Sequence, residues 1–429
     1  MPNLSSTSAF SRVTALAAQR PIHAAFSWLH ANPKTLMDWQ IDLVGIPAPS
    51  NGEQERARWL AARFVEAGVT AVETDAAGNV LGLLPATNLP AESTGPVVLL
   101  SAHLDTVFPA DTPLHAVLAG DRLEAPGACD NAAGVVGMLA VIHALVKTGA
   151  GTGTGAEAGV ELPATLVVLG NVGEEGEGDL RGVRQFYEHS ALAGRVAAHI
   201  VLDGAGADAA VTQALGSRRY RVTITGPGGH SFTDAGTPNP IAALAMALAA
   251  LAETPLPEEP RTTLNVGTIR GGISVNSIPE SAEATVDFRS TDGNQLLRLE
   301  VALRRAVEDA VEHWNARAKG PGAGARGRLE FAIAKIGDRP AARLADDSAL
   351  LAVLRAVDRH LGLRTDLRLG STDANLPLAL GVPALSMGAG GEGGDAHTLH
   401  EWYSPKNREL ALKRVLLLTL AMLNWAAEQ

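Results

Sequence analysis

Three short apolar runs in the first half of the chain are each followed by a His or a carboxylate. The runs and the polar residues after them are Val97 to Leu100 with His103 and Asp105, Ala164 to Gly170 with Glu174 and Glu175, and Ala198 to Leu202 with Asp203. Such runs predict buried strands. Open α/β sheets place their sites at the carboxyl ends of strands, so the pattern predicts a mostly parallel sheet whose strand ends share one site.

Two further segments carry acids and histidines outside these strands. Asp130 lies in Gly127 to Asn131, just before an apolar helical pattern from Ala132 to Val146. The Asp is either a functional ligand or a simple N-cap, which Asp favours. His397 lies in a glycine-rich stretch near the C-terminus, and Glu401 follows it closely enough to support a site from behind.

Sorted by chemistry, these segments supply five nitrogen or oxygen ligands: His103, Asp130, Glu175, Asp203 and His397. One bridging carboxylate with two further ligands for each ion makes a two-metal site. Imidazole with carboxylate favours zinc and also suits manganese or cobalt. Two such ions activate a water between them and polarise a carbonyl. The remaining acid, Glu174, is then the expected general base, and Asp105 the group that orients His103.

The order of the motifs resembles the co-catalytic, two-metal metallopeptidase family of aminoacylase, acetylornithine deacetylase, succinyl-diaminopimelate desuccinylase and tripeptidase T. The shared order is His-x-Asp, Asp-Asn, Glu-Glu, Asp-Gly and a late His. Further segments resemble other parts of the same family, and they are 43–50 with Glu53, 75–80, 227–231, 276–279 and 286–289. The resemblance covers nearly the whole chain.

This resemblance implies a role for each ligand. Asp130 would bridge the two ions, His103 and Asp203 would complete one site, and Glu175 and His397 the other. The resemblance also implies that the Asp130-Asn131 peptide bond is cis.

Three residues of the second half of the chain gain roles through the same resemblance. His230 would help to hold the oxyanion, in dimers from the neighbouring subunit. Arg289 would bind a substrate carboxylate, with Asn276 holding a carbonyl or carboxylate nearby. The alternatives are that His230 caps its glycine-rich turn and that Arg289 pairs with an acid of its own domain.

The domain organisation follows from a change of pattern near residue 210. Residues 1–210 and 338–429 are expected to form the α/β catalytic domain, and 211–337 an inserted lid and dimerisation domain. The insert has a β-α-β-β-α-β order, typical of ferredoxin-like α+β folds. Gly149 to Gly159 and Gly320 to Gly327 are predicted loops, and the first lacks the Gly-Lys-Ser/Thr ending of a phosphate-binding loop.

Composition narrows the class of protein. The 429 residues allow two domains, and a net charge of −11 argues against nucleic acid as the partner. Cys129 is the only cysteine, which excludes an intrachain disulfide framework and leaves packing as its expected role. The longest apolar stretches, Ile241 to Ala252 and Val415 to Leu423, are too short to span a bilayer and are expected to be buried helix faces. The N-terminus lacks a signal-peptide pattern. We therefore expect a cytoplasmic enzyme without a membrane partner.

The expected function is hydrolysis of a peptide or N-acyl amide bond in a small carboxylate-bearing substrate, by a metal-bridged water with Glu174 as base. A di- or tripeptidase, a carboxypeptidase and an N-acyl-amino-acid deacylase stay open, because pocket walls set the substrate. A noncatalytic ligand-binding relative is the second class, and the complete residue set argues against it. The resemblance implies a homodimer.

Overall fold

The computed structural model of the protein describes residues 6–87, 94–147, 160–318 and 327–429. The chain forms two compact units. The first comprises Met1–Ala214 and Arg343–Gln429, and the second comprises Leu215–Ala342. The glycine-rich loops predicted at 149–159 and 320–327 lie outside the described residues, apart from Gly327.

Among the described residues, four α-helices precede the first strand, and helices and strands are interspersed after it. The α-helices are α1 (Ser6–Ala17), α2 (Arg20–Ala31), α3 (Pro33–Val44), α4 (Gln54–Ala67), α5 (Ala132–Lys147), α6 (Arg181–His189), α7 (Pro240–Ala252), α8 (Gly293–Arg317), α9 (Ala349–Leu361), α10 (Asn375–Ala379) and α11 (Arg408–Ala426). Short 3-10 turns cover Gly176–Gly178 and Ala193–Arg195.

The strands fall into sheets within each unit. They are β1 (Thr70–Thr74), β2 (Val80–Leu84), β3 (Val97–His103), β4 (Val117–Ala119), β5 (Arg122–Glu124), β6 (Thr165–Asn171), β7 (Val196–Leu202), β8 (Ala209–Ala214), β9 (Gly216–Thr225), β10 (Gly229–His230), β11 (Thr262–Gly271), β12 (Ser277–Ile278), β13 (Ser281–Ser290), β14 (Glu330–Arg339), β15 (Ala342–Arg343), β16 (Asp366–Gly370), β17 (Ala384–Met387), β18 (Glu392–Gly394) and β19 (Trp402–Ser404).

A large mixed sheet forms the centre of the first unit. Its strand order is β1-β2-β6-β3-β7-β17-β8-β15, and β16 pairs with β8. The central strands β6, β3, β7 and β17 run parallel, whereas β1, β2 and β8 add antiparallel pairs. All seven residues of β3 are buried, as expected for a strand covered on both faces. The carboxyl ends of the parallel strands therefore meet at one edge.

Helix α5 packs against this sheet and against α2, α3, α4 and α11. Almost every residue from Ala132 to Leu145 is buried, which explains why its sequence is apolar on all sides rather than along one stripe. Burial of each large aliphatic side chain contributes about 1.5–3 kcal/mol. This packing fixes the start of the helix, which directly follows Asp130 and Asn131.

The second unit contains a four-stranded antiparallel sheet of order β11-β13-β9-β14. With α7 and α8 between the strands, this is the ferredoxin-like order predicted from the sequence. Alternate residues of β13 are buried, and the apolar set that includes Ala284, Val286 and Phe288 packs with α7 and α8. The opposite face of the sheet carries polar side chains, as one-sided antiparallel sheets do.

The predicted fold class, an α/β unit with an inserted ferredoxin-like α+β unit, is confirmed. The apolar stretches at 241–252 and 415–423 are buried helix faces, as expected. Within the described residues, no helix is long and apolar enough to cross a membrane.

Candidate metal centre and active site

The parallel strands of the first unit deliver the polar residues that follow them to one edge. His103 ends β3 and lies beside Asn171, the last residue of β6. Glu174 and Glu175 follow β6, and Asp203 follows β7, which pairs with β3 on its other side. The site predicted from three separate apolar runs is therefore assembled by the register of three adjacent strands.

Asp130 reaches the same site from the start of α5. Asn131, not Asp130, caps that helix, because its Oδ1 accepts hydrogen bonds from the backbone N–H of Gly134 at 3.1 Å and of Gly204 at 3.0 Å. The peptide bond between Asp130 and Asn131 is cis, as the resemblance implied. The carboxylate of Asp130 is thus available to the site.

The two oxygens of Asp130 face two different histidines. Oδ1 lies 3.1 Å from Nε2 of His103, and Oδ2 lies 3.1 Å from Nε2 of His397. Nε2 of His103 is also 3.7 Å from Oδ1 of Asp203, and Nε2 of His397 is 3.1 Å from Oε1 of Glu175. One carboxylate therefore stands between two sets of donors.

The donors form groups that fit divalent metal ions. Ligand atoms of His103, Asp130 and Asp203 lie within 4.8 Å of one another, and so do those of Asp130, Glu175 and His397. A third such group joins Glu174 and Glu175 to His103. Oδ1 of Asp130 is buried and, among the described residues, has no partner in hydrogen-bond geometry. A buried carboxylate oxygen left in this way suits a metal ligand.

The electrostatics of the group favour cations. Burial would raise the pKa of Asp130, but the neighbouring imidazoles of His103 and His397 lower it well below its usual range. Hydrogen bonding to Asp130 raises the pKa of His397 to about 9. Burial raises the pKa of Glu175 to about 7, and the charge of Asp130 adds to this rise. The negative charge of Asp130 that raises the pKa of Glu175 also attracts divalent ions.

Asp105 holds two parts of the site together. It lies buried behind His103, whose Nδ1 is 3.1 Å from the backbone oxygen of Asp105 and 3.6 Å from its Oδ1. The carboxylate accepts hydrogen bonds from the backbone N–H of Glu174 and Glu175, both at 2.9 Å, and from Ser50 Oγ at 2.7 Å. The residue predicted to orient His103 thus also fixes the loop that carries both glutamates.

Glu401 holds the loop before Asp130. Its buried carboxylate accepts hydrogen bonds from the backbone N–H of Gly127 at 2.9 Å and of Cys129 and Asp130 at 2.7 Å. Burial raises the pKa of Glu401, while these hydrogen bonds lower it. Glu401 therefore lies behind the loop that carries Asp130, where a supporting residue was expected. Cys129 is buried beside it, in keeping with a packing role.

His397 lies in the loop between β18 and β19, which pair in a small sheet with β5. Asp395 and His397 both have a positive φ, 55° and 64°, a conformation that non-glycine residues adopt at some cost. The side chain of His397 is 53% exposed, in contrast to the 1% of His103. The donor group of Asp130, Glu175 and His397 therefore lies on the open side of the site.

Two further buried residues of the first unit, Arg56 and Asp373, join the site. Arg56 of α4 donates to the backbone oxygens of Ile46 at 2.9 Å and Leu104 at 3.0 Å. Burial lowers the pKa of Arg56 to about 10, although the negative charges of Asp105 and Glu401 act to raise it. Asp373 accepts a hydrogen bond from Asn171 Nδ2 at 2.7 Å, and burial together with the charge of Glu174 raises its pKa well above the usual range.

A signal for Arg56 was present in the sequence. It occupies the same helix face as Leu60 and Phe64, and a charged residue within an apolar stripe is a candidate for a buried, specific role. The signal for Asp373 was weaker, because Ser371-Thr372-Asp373 is as typical of a turn as of a segment that lines a substrate pocket.

The remaining predicted residues lie in the second unit. His230 is exposed, and its Nδ1 accepts hydrogen bonds from the backbone N–H of Phe232 at 3.2 Å and Thr233 at 3.3 Å. The side chain therefore caps its turn, as the alternative held. Because Nδ1 accepts, the ring proton of the neutral imidazole is on Nε2, which leaves a donor directed away from the turn.

Asn276 and Arg289 also have partners within the second unit. The backbone oxygen of Asn276 accepts from Ser231 N at 3.0 Å, which places Asn276 beside His230. Oδ1 of Asn276 accepts from Ser274 Oγ at 2.5 Å. Arg289 Nε donates to Asp287 Oδ2 at 2.7 Å, so the pairing with an acid of its own unit is present.

Comparison with known proteins places this site in a family. The sequence model described as Peptidase family M20/M25/M40 matches residues 99–421. This range contains every donor of the candidate metal centre, and the chain belongs to this family. It is a hydrolytic enzyme that cleaves peptide or amide bonds with the help of metal ions.

One curated relative is also described as a peptidase. A probable carboxypeptidase from Aspergillus clavatus is 29% identical over 290 residues, which cover 61% of this chain and 59% of the fungal protein. This chain thus spans less than two thirds of that relative.

Solved structures share the fold. A tripeptidase from Staphylococcus aureus has a TM-score of 0.68 at 20% identity, covering 92% of this chain and 98% of that one. YXEP from Bacillus subtilis, described as a dinuclear metal binding peptidase, has a TM-score of 0.62 at 17% identity, covering 92% and 99%.

The contacts of Asp105 generate a prediction about metal affinity. We expect Asp105→Asn to weaken metal binding about 10- to 100-fold, because an amide has one acceptor oxygen for the donors that the carboxylate now accepts. Ser50→Ala removes one of these donors and should have a smaller effect. Competition with a metal-binding dye measures both, and equal affinities in Asp105→Asn and the wild type would contradict the assignment.

Proposed function

We propose that the protein hydrolyses a peptide bond next to a free carboxylate in a small substrate, with two divalent ions held by His103, Asp130, Glu175, Asp203 and His397. The observation that carries the proposal is Asp130, whose two oxygens each face a different imidazole. When bound, two ions would acidify a water and polarise the scissile carbonyl. The imidazole and carboxylate donors favour zinc, with manganese or cobalt as alternatives.

The proposed role of Glu174 is that of general base. It is 5% exposed and one of its oxygens lies within 4.8 Å of donors of His103 and Glu175, while its backbone N–H is fixed by Asp105. Glu174 takes a proton from the attacking water as the water oxygen bonds to the carbonyl carbon. It then gives that proton to the nitrogen of the breaking C–N bond.

The proposed substrate contacts come from the second unit, which we regard as a lid and dimerisation domain. Arg289 would bind the substrate carboxylate, since a guanidinium offers paired N–H donors to one carboxylate. Asn276 would hold a neighbouring carbonyl or carboxylate. His230 would donate from Nε2 to the oxyanion.

A homodimer is part of the proposal. Phe232, Ile273 and Val275, which flank His230 and Asn276 in the sequence, are 84%, 96% and 102% exposed. Large apolar side chains exposed together mark interaction surfaces, and a second copy of the chain would cover them. We also propose a cytoplasmic location, supported by the single cysteine.

We prefer a peptidase to an N-acyl-amino-acid deacylase because curated relatives of the sequence are described as probable carboxypeptidases. A panel of dipeptides, tripeptides and N-acyl amino acids, tested with enzyme loaded with zinc, manganese or cobalt, separates these activities. Faster turnover of N-acyl amino acids than of every peptide would favour the deacylase.

Glu174→Gln tests the base directly. The amide keeps the size of the side chain but cannot take a proton, so we expect turnover to fall at least about 100-fold while metal content stays the same. Steady-state kinetics and metal analysis of the same preparation measure both. Near-normal turnover would remove Glu174 from the role of base.

Mixing two inactive variants tests whether His230 acts on the neighbouring subunit. Glu174→Gln and His230→Ala are each expected to be inactive or nearly so, since one oxyanion donor is worth about 10²–10³ in rate. After subunit exchange, about half of the dimers are mixed, and each has one site with an intact Glu174 and an intact His230. Activity should rise toward about a quarter of the wild-type value.

The control for this experiment is exchange between differently labelled subunits, followed by native mass spectrometry. If exchange is complete and activity does not recover, His230 acts within its own chain or not on the reaction.

A further inference from the structure

A glutamine is buried among the apolar side chains of helix α3. The buried residues of this helix are Leu36, Met37, Gln40, Leu43 and Val44, which is the spacing of a single apolar face. The side chain of Gln40 has no exposed surface, at 0%. A buried amide needs hydrogen-bond partners for both its oxygen and its nitrogen, so the contacts of Gln40 indicate its role.

Gln40 bonds to the loop that carries Asp130. Its Nε2 donates to the backbone oxygen of Ala128 at 2.6 Å, two residues before the aspartate. Glu401 accepts hydrogen bonds from three backbone N–H groups of the same loop, those of Gly127, Cys129 and Asp130. The loop is therefore held by an amide donor at one of its carbonyl groups as well as by a carboxylate acceptor at its N–H groups.

Arg408 fixes which way the amide of Gln40 faces. Arg408 is the first residue of α11 and is buried, and its Nη2 donates to Oε1 of Gln40. Because a guanidinium offers only donors, it holds the amide oxygen and leaves the NH2 group for Ala128. Nε of Arg408 also donates to the hydroxyl of Tyr403 at 2.5 Å, and the guanidinium carbon lies 4.5 Å from the centre of the Tyr403 ring. Gln40, Arg408 and Tyr403 therefore form one buried polar network.

This polar network ends on the strand that follows His397. Tyr403 belongs to β19, which pairs with β18, and His397 lies in the loop between the two strands. Oδ2 of Asp130 and Nε2 of His397 lie 3.1 Å apart in the candidate site. The polar network therefore joins the two loops whose side chains meet on the open side of the site.

We propose that Gln40 is a positioning residue for the bridging carboxylate. By holding the carbonyl group of Ala128, it keeps Asp130 where two ions can share it. The inference rests on the proposed function, in which Asp130 bridges the ions. Binding sites depend on such support, because ligands must be held in place by the hydrogen bonds of residues behind them.

Gln40→Glu tests the amide donor. The carboxylate keeps the size of the side chain and still accepts from Arg408, but it has no proton for the carbonyl group of Ala128. We expect zinc affinity, measured by competition with a metal-binding dye, to fall about tenfold, the low end for residues that support a ligand from behind. In metal-free protein, hydrogen exchange should become faster at the backbone N–H groups of residues 127, 129 and 130, because the loop opens more often.

A second variant and a spectrum separate positioning from a role in stability alone. Gln40→Met also lacks the donor and, in addition, leaves Arg408 without its acceptor, so zinc affinity should fall at least as far. At saturating cobalt, the visible absorption bands of both variants should differ from those of the wild type, because these bands depend on ligand geometry. A residue that only stabilised the fold would lower the midpoint of thermal unfolding and leave affinity and spectrum unchanged.

Lys413→Gln is the matched control, because it removes a charged side chain from the same helix as Arg408. Lys413 pairs with Glu409 on that helix at 2.5 Å. The control should keep the zinc affinity, the exchange rates and the cobalt spectrum of the wild type. Zinc affinity in both Gln40 variants equal to that of the control would overturn the inference, and so would unchanged exchange of the loop.

Zinc binding separates a failure of this inference from a failure of the proposed function, because it needs no turnover. A wild type that binds two ions, loses affinity through Gln40→Glu and cleaves none of the peptides would contradict the proposed hydrolysis alone. Two ions bound equally well with and without Gln40 would contradict the positioning role alone. A wild type that binds no zinc would overturn both.

Discussion

The mutual repulsion of carboxylates at the carboxyl ends of β6, β3 and β7 is the constraint on which the site depends. Asp130, Glu175 and Asp203 converge on two imidazoles, and Asp105 and Glu401 lie buried behind them. Negative charges collected in a protein interior are costly unless they are compensated. Backbone N–H groups and Arg56 compensate the charges of Asp105 and Glu401. The charges of Asp130, Glu175 and Asp203 are left for cations to compensate.

The compensation also sets the geometry. Asp105 and Glu401 each accept backbone hydrogen bonds from a loop that carries candidate site residues. Asp105 accepts them from Glu174 and Glu175, and Glu401 accepts one from Asp130. Charge-assisted hydrogen bonds of this kind are stronger than neutral ones. The same acids that require stabilisation therefore hold the loops, and Glu401 and Asp130, more than two hundred positions apart, become parts of one hydrogen-bonded centre.

Much of this architecture could be predicted from local patterns. His103, Glu175 and Asp203 each follow an apolar run, and those runs are parallel neighbours in the sheet. Helix α7, Pro240–Ala252, covers one of the apolar stretches that were expected to be buried helix faces. These features depend on neighbours in the sequence. The antiparallel pairing of β1, β2 and β8 depends on partner strands, some of them distant in the sequence. The order of strands and helices along the chain does not indicate this pairing.

The residues that support the site were harder to predict, because their contacts are also with residues distant in the sequence. Arg56 belongs to a helix whose pattern is otherwise that of a simple amphipathic face, and its acceptors belong to two loops. The pairing of Asp373 with Asn171 joins residues 202 positions apart. Asp105 was predicted behind His103, but its bonds to the Glu174 loop require the fold.

The most direct test of a centre built around Asp130 is to count and locate the ions it binds. Crystals of zinc-loaded protein should show two anomalous peaks at the zinc edge, one shared by His103, Asp130 and Asp203, and the other by Asp130, Glu175 and His397. Asp130→Ala should lose both. A single peak, no peak beside these residues, or two peaks that persist without Asp130 would contradict the account.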